Sequence, residues 1–292
     1  MKIRYLFIFI SLLIIGKISA SDFVTLNYLH TKTDSLDLDL FLPANTQNQK
    51  TPLVIFVHGG GFAGGDRPGG HSLGKYLAQK GIATATITYT LYMKNKDFGC
   101  NGILSEKIKA IQYGVTDLWE ATKFLIANAE KYNLNTKQIF IAGTSAGAET
   151  VLHAAYWPSS MALFGGGLDA GFKYAGIISG AGAIMDLNLI RPENVIPAMF
   201  IHGDKDPVVP YATAPHHSCN CNASGWLMLF GSKSIYQHMH NLKANRILYT
   251  FSGKDHSVAG NYLYDNQKPV FEFIQRIINN KKIRKQIVIS HK

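Results

Sequence analysis

From residue 35 onward, short apolar runs alternate along the chain with segments of helical periodicity. Leu36, Leu38 and Leu40 alternate with Asp37 and Asp39. This two-residue period predicts a strand with one buried face. Together with residues 23–30, it is expected to form a hairpin at the edge of a sheet.

Further along, the apolar runs become continuous, which is typical of strands that are buried on both faces. They comprise Leu53–Val57, Ile82–Thr88, Ile139–Ala142, Tyr174–Ser179, Ala198–His202 and Ile247–Phe251. Apolar residues spaced about 3.6 positions apart predict intervening helices. These cover Ser105–Tyr132 with Ser105 as cap, Ala146–Trp157, Gly231–Ala244 and Lys268–Asn280. The alternation predicts an α/β fold with a doubly wound, mostly parallel sheet and helices on both faces.

The first twenty residues have the pattern of a secretory signal peptide. Lys2 and Arg4 precede an apolar core over Tyr5–Gly16, and the segment ends in Ala20. We expect cleavage after Ala20 and a secreted or periplasmic protein. A membrane anchor is the alternative, but Lys17 interrupts the apolar run before it reaches the length of a span.

Composition indicates one globular domain over residues 21–280, since 47% of residues are hydrophobic and only 16% are charged. The net charge of +10 comes mostly from the two ends of the chain. Residues 281–292 are predicted to form a basic tail, either solvated or held by an anionic surface. No aromatic-interleaved basic patch favours nucleic acid, and no membrane span is expected after signal cleavage.

The strongest chemical signal is Gly143-Thr144-Ser145-Ala146-Gly147, which lies between a predicted strand and a predicted helix. A sharp turn at this place exposes the serine hydroxyl above the sheet. Glycines on either side keep side chains out of the turn. Ser145 is therefore predicted to be a nucleophile.

A second glycine-rich segment, His58-Gly59-Gly60-Gly61, follows the apolar run that ends at Val57. Consecutive glycines let backbone N–H groups approach a ligand, as stabilisation of a tetrahedral oxyanion requires. An ordinary glycine-rich turn is the alternative interpretation. A phosphate-binding loop is not expected because no Walker lysine follows.

Candidates for the remaining two members of a triad follow in the chain. Asp206 and Asp204 both lie after the run that ends at His202, and Asp204 better fits a turn residue. His256 follows a strand and precedes the terminal helix, whereas His238 and His240 lie within a predicted helix. The order serine, acid, histidine is that of α/β-hydrolases.

With these motifs, residues 36–280 resemble the carboxylesterase/lipase branch of the α/β-hydrolases, which carries an HGGG oxyanion motif. They also resemble feruloyl-esterase-like enzymes of glycan-degrading bacteria. The resemblance favours Asp206 as the acid and implies a triad of Ser145, Asp206 and His256. It also implies oxyanion N–H groups from Gly60, Gly61 and Ala146, with no metal or organic cofactor.

The sequence departs from many such relatives at Ala148 and Glu149, where a glycine, histidine or asparagine is usual. Glu149 follows Ser145 by about one helical turn. We expect either a buried carboxylate bonded to loop backbone or a group that tunes the site. The departure leaves the subfamily open.

Two segments are expected to shape the substrate pocket, namely Tyr211–Gly225 and Trp157–Phe172. The first contains Cys219 and Cys221, and a disulfide from one of them to Cys100 is consistent with export. The sequence does not choose the pair. His216 and His217 in the same loop raise the alternative of a metal site, although their spacing matches no familiar zinc pattern.

These features predict a secreted serine carboxylic-ester hydrolase that acts through an acyl-enzyme. With no large cap insertion, the cleft suits a glycan or small-molecule ester such as a carbohydrate-linked acetyl or feruloyl ester. An amide or peptide hydrolase and an arylformamidase are alternatives on the same triad. A non-catalytic binding module is a third, though no triad member is missing.

Overall fold

The computed structural model describes residues 23–30, 35–44 and 49–290. The strands are β1 (Phe23–His30), β2 (Ser35–Phe41), β3 (Thr51–Val57), β4 (Ala83–Ile87), β5 (Leu134–Thr144), β6 (Gly176–Gly180), β7 (Ala183–Ile184), β8 (Ala198–Gly203), β9 (Thr213–Pro215), β10 (Met228–Gly231), β11 (Arg246–Phe251) and β12 (Arg284–Ile289). The helices are α1 (His71–Gln79), α2 (Leu104–Ala127), α3 (Ala146–Tyr156), α4 (Ser232–Asn241) and α5 (Lys268–Ile278).

Among the described residues, nine strands form one sheet in the order β1-β2-β4-β3-β5-β6-β8-β11-β12. The pairs from β4 to β12 are parallel, and β1 and β2 add an antiparallel hairpin at one edge. The prediction of a doubly wound, mostly parallel sheet with an edge hairpin is therefore confirmed.

Apolar side chains on the two faces of this sheet pack into two separate cores. Along β3, Ile55 belongs to one core and Phe56 to the other, as the alternation of side chains along a strand requires. Helices α2, α3 and α4 supply buried residues to the first core, and α1 and α5 supply them to the second. Helices thus cover both faces.

The long helix α2 differs from its prediction at both ends. It runs from Leu104 to Ala127, and Ile103 occupies the N-cap position without a side-chain cap bond. Ser105 therefore lies inside the first turn and does not cap the helix. Helix α1 was not predicted from the sequence, although it buries Leu73 and Leu77.

The expectation of a basic tail after residue 280 is wrong for half of that segment. Arg284–Ile289 forms β12, which pairs in parallel with β11 over its whole length. Ile283 is buried, and Ile287 and Ile289 pack partly against the core on that face. Apolar residues interspersed among the basic ones therefore stabilise the segment as the last strand of the sheet.

A small antiparallel sheet of order β7-β10-β9 lies beside the main sheet. The predicted signal peptide, residues 1–20, lies outside the described residues. Within the described ranges, no helix combines the length and apolar character of a membrane span.

All four predicted motifs follow the carboxyl ends of parallel strands. Strand β3 ends before the glycine loop, β5 before Ser145, β8 before Asp206 and β11 before His256. Because the carboxyl ends of parallel strands lie at one edge of a sheet, the motifs converge there, where ligand sites of open α/β sheets are found.

Candidate active site

Ser145 lies at a strained turn between β5 and α3. Its φ of 52° and ψ of −124° are unusual for a residue with a side chain. The turn is held by a hydrogen bond of 2.7 Å from Ser145 N–H to the carbonyl of Gly180. A Cβ at Gly143 would meet the Gly147 carbonyl oxygen at 2.3 Å, and a Cβ at Gly147 would meet the Val57 carbonyl oxygen at 2.1 Å, so both glycines of the motif are needed for close backbone packing.

The structure places the three predicted triad residues in one hydrogen-bonded chain. His256 Nε2 lies 2.8 Å from Ser145 Oγ, and His256 Nδ1 lies 2.7 Å from Asp206 Oδ2. Both distances lie in the range for strong hydrogen bonds. With Nδ1 donating to the carboxylate, Nε2 is free to accept the proton of the serine hydroxyl.

Asp206 is fully buried and well supplied with donors. Its Oδ1 accepts N–H bonds from Val208 at 2.8 Å and Val209 at 3.0 Å. Burial opposes the charged form, but contacts with His202 and His256 hold the pKa of Asp206 below its ordinary value. His202 Nε2 lies 3.2 Å from Asp206 Oδ2. The carboxylate is therefore charged across the neutral pH range.

The neighbouring acids lie in turns, apart from the triad. Asp204 accepts the N–H of Gly253 at 2.6 Å, as expected for a turn residue. Asp255 accepts both the N–H and the hydroxyl of Ser257, at 3.0 and 2.6 Å. Neither acid contacts His256, in agreement with the choice of Asp206.

The glycine loop after β3 faces Ser145 across the pocket. Gly60 and Gly61 have φ values of 116° and 61°, which favour glycine. Their N–H groups have no hydrogen-bond acceptor within the described ranges, and Ala146 N–H lies at the first position of α3, where helical donors lack intrahelical partners. The three predicted oxyanion groups border the same pocket as Ser145.

His58, at the start of this loop, fixes its shape. Its Nδ1 donates to the carbonyl of Gly59 at 2.7 Å, and its ring stacks on Tyr89 with centroids 4.5 Å apart. Tyr89 in turn donates to the carbonyl of His58 at 3.1 Å. Burial lowers the pKa of His58, so the ring is a neutral support for the loop.

The pocket beside Ser145 has a volume of about 360 Å³. Its apolar lining residues are Phe98, Val208 and Val209. Its polar lining residues include Glu149, His216 and His217, together with the triad histidine. The pocket can thus contact a carbon skeleton and also present hydrogen-bonding groups.

Two loops from distant parts of the chain are joined beside this pocket. A disulfide links Cys100 to Cys219, and Cys221 is a free, exposed thiol. Gly225 N–H also donates to the carbonyl of Cys100 at 2.9 Å, and Lys107 Nζ donates to the carbonyl of Gly225 at 2.7 Å. The segment Tyr211–Gly225 therefore shapes the pocket, as predicted.

Segment Trp157–Phe172 does not border the triad pocket, so that prediction is wrong. Trp157 and Phe172 instead line a separate cavity of about 360 Å³ with Trp119 and Arg191. Helix α3 begins at Ala146, directly after the serine, and ends at Tyr156, so it carries the chain away from Ser145 before this segment starts.

The metal alternative for the His216–Cys221 loop gains no support. Across residues 23–30, 35–44 and 49–290, no cluster of His, Cys, Asp or Glu is arranged to hold a metal ion. Cys219 is in the disulfide, and His216 contacts Glu149.

Glu149 is buried and has no aligned hydrogen-bond partner for either carboxyl oxygen among the described residues. The expected bond to loop backbone is absent there. His216 Nε2 lies 3.3 Å from Glu149 Oε1. Burial raises the pKa of Glu149 to about 8 and lowers that of His216 well below its ordinary value. At neutral pH a neutral acid therefore faces a neutral imidazole.

Sequence reasoning missed two features of the site. Phe98 gave no signal because its loop reaches the pocket only through tertiary contacts. His202 was part of a predicted motif, but its contact with Asp206 was not foreseen. The sequence did single out Glu149, as an unusual residue after the serine turn, and His216, as one of the histidines near Cys219. It did not predict that these two residues contact each other.

Comparison with known proteins supports the same fold and chemistry. The BD-FAE family model matches residues 38–165. The chain is 25% identical over 237 residues to juvenile hormone esterase of Tribolium castaneum, covering 81% of this chain and 34% of that protein. It is 29% identical over 124 residues to fumonisin B1 esterase of Sphingopyxis macrogoltabida, covering 41% and 23%. The chain thus spans about a third or less of these relatives.

Solved structures show the fold over nearly the whole chain. Esterase 2 of Thermogutta terrifontis with bound propionate superimposes with a TM-score of 0.63 at 14% identity, covering 90% of this chain and 96% of that one. The same esterase phosphorylated by paraoxon has a TM-score of 0.63 at 14% identity, covering 88% and 92%. The predicted α/β-hydrolase fold is therefore confirmed, and the family model and the curated relatives show similarity to esterases.

Proposed function

We propose that this α/β-hydrolase is a secreted serine carboxylic-ester hydrolase that uses Ser145 as nucleophile. The observation that supports this most directly is the hydrogen-bonded chain from Ser145 Oγ through His256 to Asp206. It faces two glycine N–H groups without acceptors in the described chain. Nucleophile, base and oxyanion donors are the parts that acyl transfer requires.

In the first half-reaction, His256 Nε2 takes the proton of Ser145 as Oγ attacks the ester carbonyl. The carbonyl oxygen becomes an oxyanion that accepts hydrogen bonds from Gly60, Gly61 and Ala146 N–H groups. Asp206 keeps the Nδ1 proton in place and stabilises the imidazolium. His256 then protonates the leaving alcohol, and the acyl-enzyme remains on Ser145.

In the second half-reaction, water enters where the alcohol has left. His256 removes its proton as the water oxygen bonds to the acyl carbon, and the new oxyanion uses the same three donors. Collapse then breaks the bond between the acyl carbon and Ser145 Oγ, His256 returns the proton to Oγ, and the acid is released. Asp206 remains a carboxylate throughout. The chain's own residues supply every group that these steps use.

For the substrate, we propose a carbohydrate-linked ester with an acetyl or feruloyl group. The match to BD-FAE over residues 38–165 supports this, as does a pocket of about 360 Å³, sufficient for an acyl group. Structures of Thermogutta esterase 2 with propionate and with butyrate favour short acyl groups. Export, inferred from residues 1–20, would place the enzyme with such polymers.

The test is hydrolysis of p-nitrophenyl acetate, butyrate, decanoate and feruloyl esters by the wild type and by Ser145→Ala. We expect turnover in the wild type, loss in the variant, and preference for acetyl or feruloyl over decanoyl esters. Equal turnover in both proteins would exclude Ser145 as the nucleophile. A preference for decanoyl esters would contradict the substrate proposal but not the esterase.

An independent test is labelling with paraoxon, which phosphorylates Thermogutta esterase 2. Paraoxon should add one diethylphosphoryl group to the wild type, and peptide mass spectrometry should place it on Ser145. Ser145→Ala should remain unlabelled, whereas Ser257→Ala, a control at an exposed serine beside the triad histidine, should be labelled like the wild type.

A further inference from the structure

An acid in the pocket wall has unused hydrogen-bonding capacity. Glu149 follows the serine turn by one helical turn, and only 1% of its side chain is exposed. Neither of its carboxyl oxygens has an aligned hydrogen-bond partner in the described chain. Buried polar groups are nearly always satisfied in native proteins, so an exception calls for an explanation.

The residue opposite has the same property. His216 is also 1% exposed, and its Nε2 lies 3.3 Å from Glu149 Oε1. Its Nδ1 has no hydrogen-bond partner within the described residues. Both residues border the pocket that contains Ser145. Two buried polar residues with free donor or acceptor positions therefore line the pocket that a substrate would enter.

The charges nearby restrict what can bind there. Lys107 is buried, and its charge lowers the pKa of Glu149 against the larger effect of burial. A cationic substituent would gain no ion pair from Glu149, because burial raises the pKa of this acid to about 8 and the group is protonated at neutral pH. An anionic one would face a neutral acid in a desolvated site, which is unfavourable. A hydroxyl group both donates and accepts, and it complements an acid beside an imidazole.

We propose that Glu149 and His216 form a subsite that binds a hydroxyl group of the substrate, on the half of the ester that occupies this pocket. This inference rests on the proposed esterase function. The carbon skeleton of the substrate would pack against Phe98, Val208 and Val209. Glu149 and His216 would form hydrogen bonds with its hydroxyl group. Glu149 and His216 are thus specificity-determining residues, separate from the triad.

The test uses two pairs of esters in which a hydroxyl is replaced by a methyl group of similar size. In the acyl pair, methyl 3-(4-hydroxyphenyl)propanoate is compared with methyl 3-(4-methylphenyl)propanoate. In the alcohol pair, 2-(4-hydroxyphenyl)ethyl acetate is compared with 2-(4-methylphenyl)ethyl acetate. We expect the wild type to favour the hydroxylated ester at least about tenfold in kcat/KM in one pair, because apolar analogues leave buried polar groups unpaired. The pair that responds identifies the half of the substrate in the pocket.

The ratio within the responding pair should fall to about threefold or less in Glu149→Leu and in His216→Leu, because the polar partners are gone. Glu272→Gln, which removes a carboxylate on the exposed side of α5, should keep the wild-type ratio. Two substitutions keep the test valid if one variant does not fold.

A wild type without preference in either pair would overturn the inference, as would a ratio that survives loss of Glu149 or His216. These results differ from failure of the proposed function, in which the wild type hydrolyses none of the four esters. In that case the subsite is refuted as well.

Discussion

Asp206 Oδ2 contacts two histidines at once, His256 Nδ1 at 2.7 Å and His202 Nε2 at 3.2 Å. His202 is itself held by Ser232, whose hydroxyl lies 2.8 Å from His202 Nδ1. The Asp206 carboxylate is thus held by His202, which lies on β8, as well as by the catalytic His256. This arrangement makes the orientation of His256 depend on one buried oxygen atom.

Replacing that oxygen should impair catalysis more than folding. For Asp206→Asn we expect kcat to fall by about 10³–10⁴-fold, because an amide N–H facing Nδ1 favours the wrong tautomer of His256. Asp204→Asn is the matched control and should retain kcat within about threefold, since its bonds go to a turn. The measurement is steady-state hydrolysis of p-nitrophenyl acetate. Similar losses in both variants would remove Asp206 from its proposed role.

Alanine substitutions at two glycines of the loop after β3, Gly60 and Gly64, should have different effects on kcat. A Cβ at Gly60 would meet the Gly64 carbonyl oxygen at 2.2 Å, whereas a Cβ at Gly64 meets nothing within 4 Å. For Gly60→Ala we expect about 10²–10³-fold lower kcat, because displaced N–H groups no longer stabilise the oxyanion. Gly64→Ala should behave like the wild type. If Gly60→Ala keeps kcat, its loop is not an oxyanion hole.

The disulfide should influence both stability and binding. We expect Cys100→Ser with Cys219→Ser to lower the free energy of unfolding by about 2–5 kcal/mol. KM should rise because Phe98 and His217, on the two joined loops, border the pocket. Thermal unfolding and ester kinetics measure the two effects. Cys221→Ser leaves the disulfide intact and should change neither the free energy of unfolding nor KM. An unchanged KM in the double variant would show that the loops hold their positions without the disulfide.

The buried acid should make stability depend on pH. The pKa of Glu149 is about 8, above its unfolded value, so the folded protein binds the extra proton between these values. The stability associated with the acid is complete below its unfolded pKa and is lost as pH rises between the two pKa values, by up to about 1.4 kcal/mol per pH unit. The loss levels off once the pH passes the folded pKa of about 8.

Glu149→Gln cannot ionise and should gain in stability relative to the wild type as pH rises from 7 to 9. His216 does not contribute to the change between pH 7 and 9, because its pKa is lowered and its titration affects stability only at lower pH. Denaturant unfolding of both proteins at pH 7, 8 and 9 measures the difference. A constant difference over this range would show that Glu149 does not take up a proton on folding. Glu272→Gln serves as control and should follow the wild type.

Short-range patterns allowed the sheet strands, the serine turn and the triad order to be predicted from the sequence. Gly143, Ser145 and Gly147 lie within five residues, so their shared geometry is local. The pairing of Glu149 with His216 spans 67 residues and depends on how the loop of Cys219 docks. No local pattern encodes that docking, and the subsite emerged only from the structure.

The C-terminal segment illustrates another limit. A basic tail was predicted for this segment because five basic residues lie after residue 280. The apolar positions Ile283, Ile287 and Ile289 are too few for a clear strand period, yet pairing with β11 satisfies their backbone groups. In this segment, tertiary pairing outweighed local composition.

As the outermost strand, β12 presents a row of backbone donors and acceptors on its free side, next to the exposed side chain of Val288. Such edges are templates for strand addition by another molecule and hence for aggregation. Arg284 and Lys285 are exposed at its start, where the parallel addition of a second copy would bring like charges together. The basic residues at this end of the chain therefore disfavour parallel pairing between two copies of this edge.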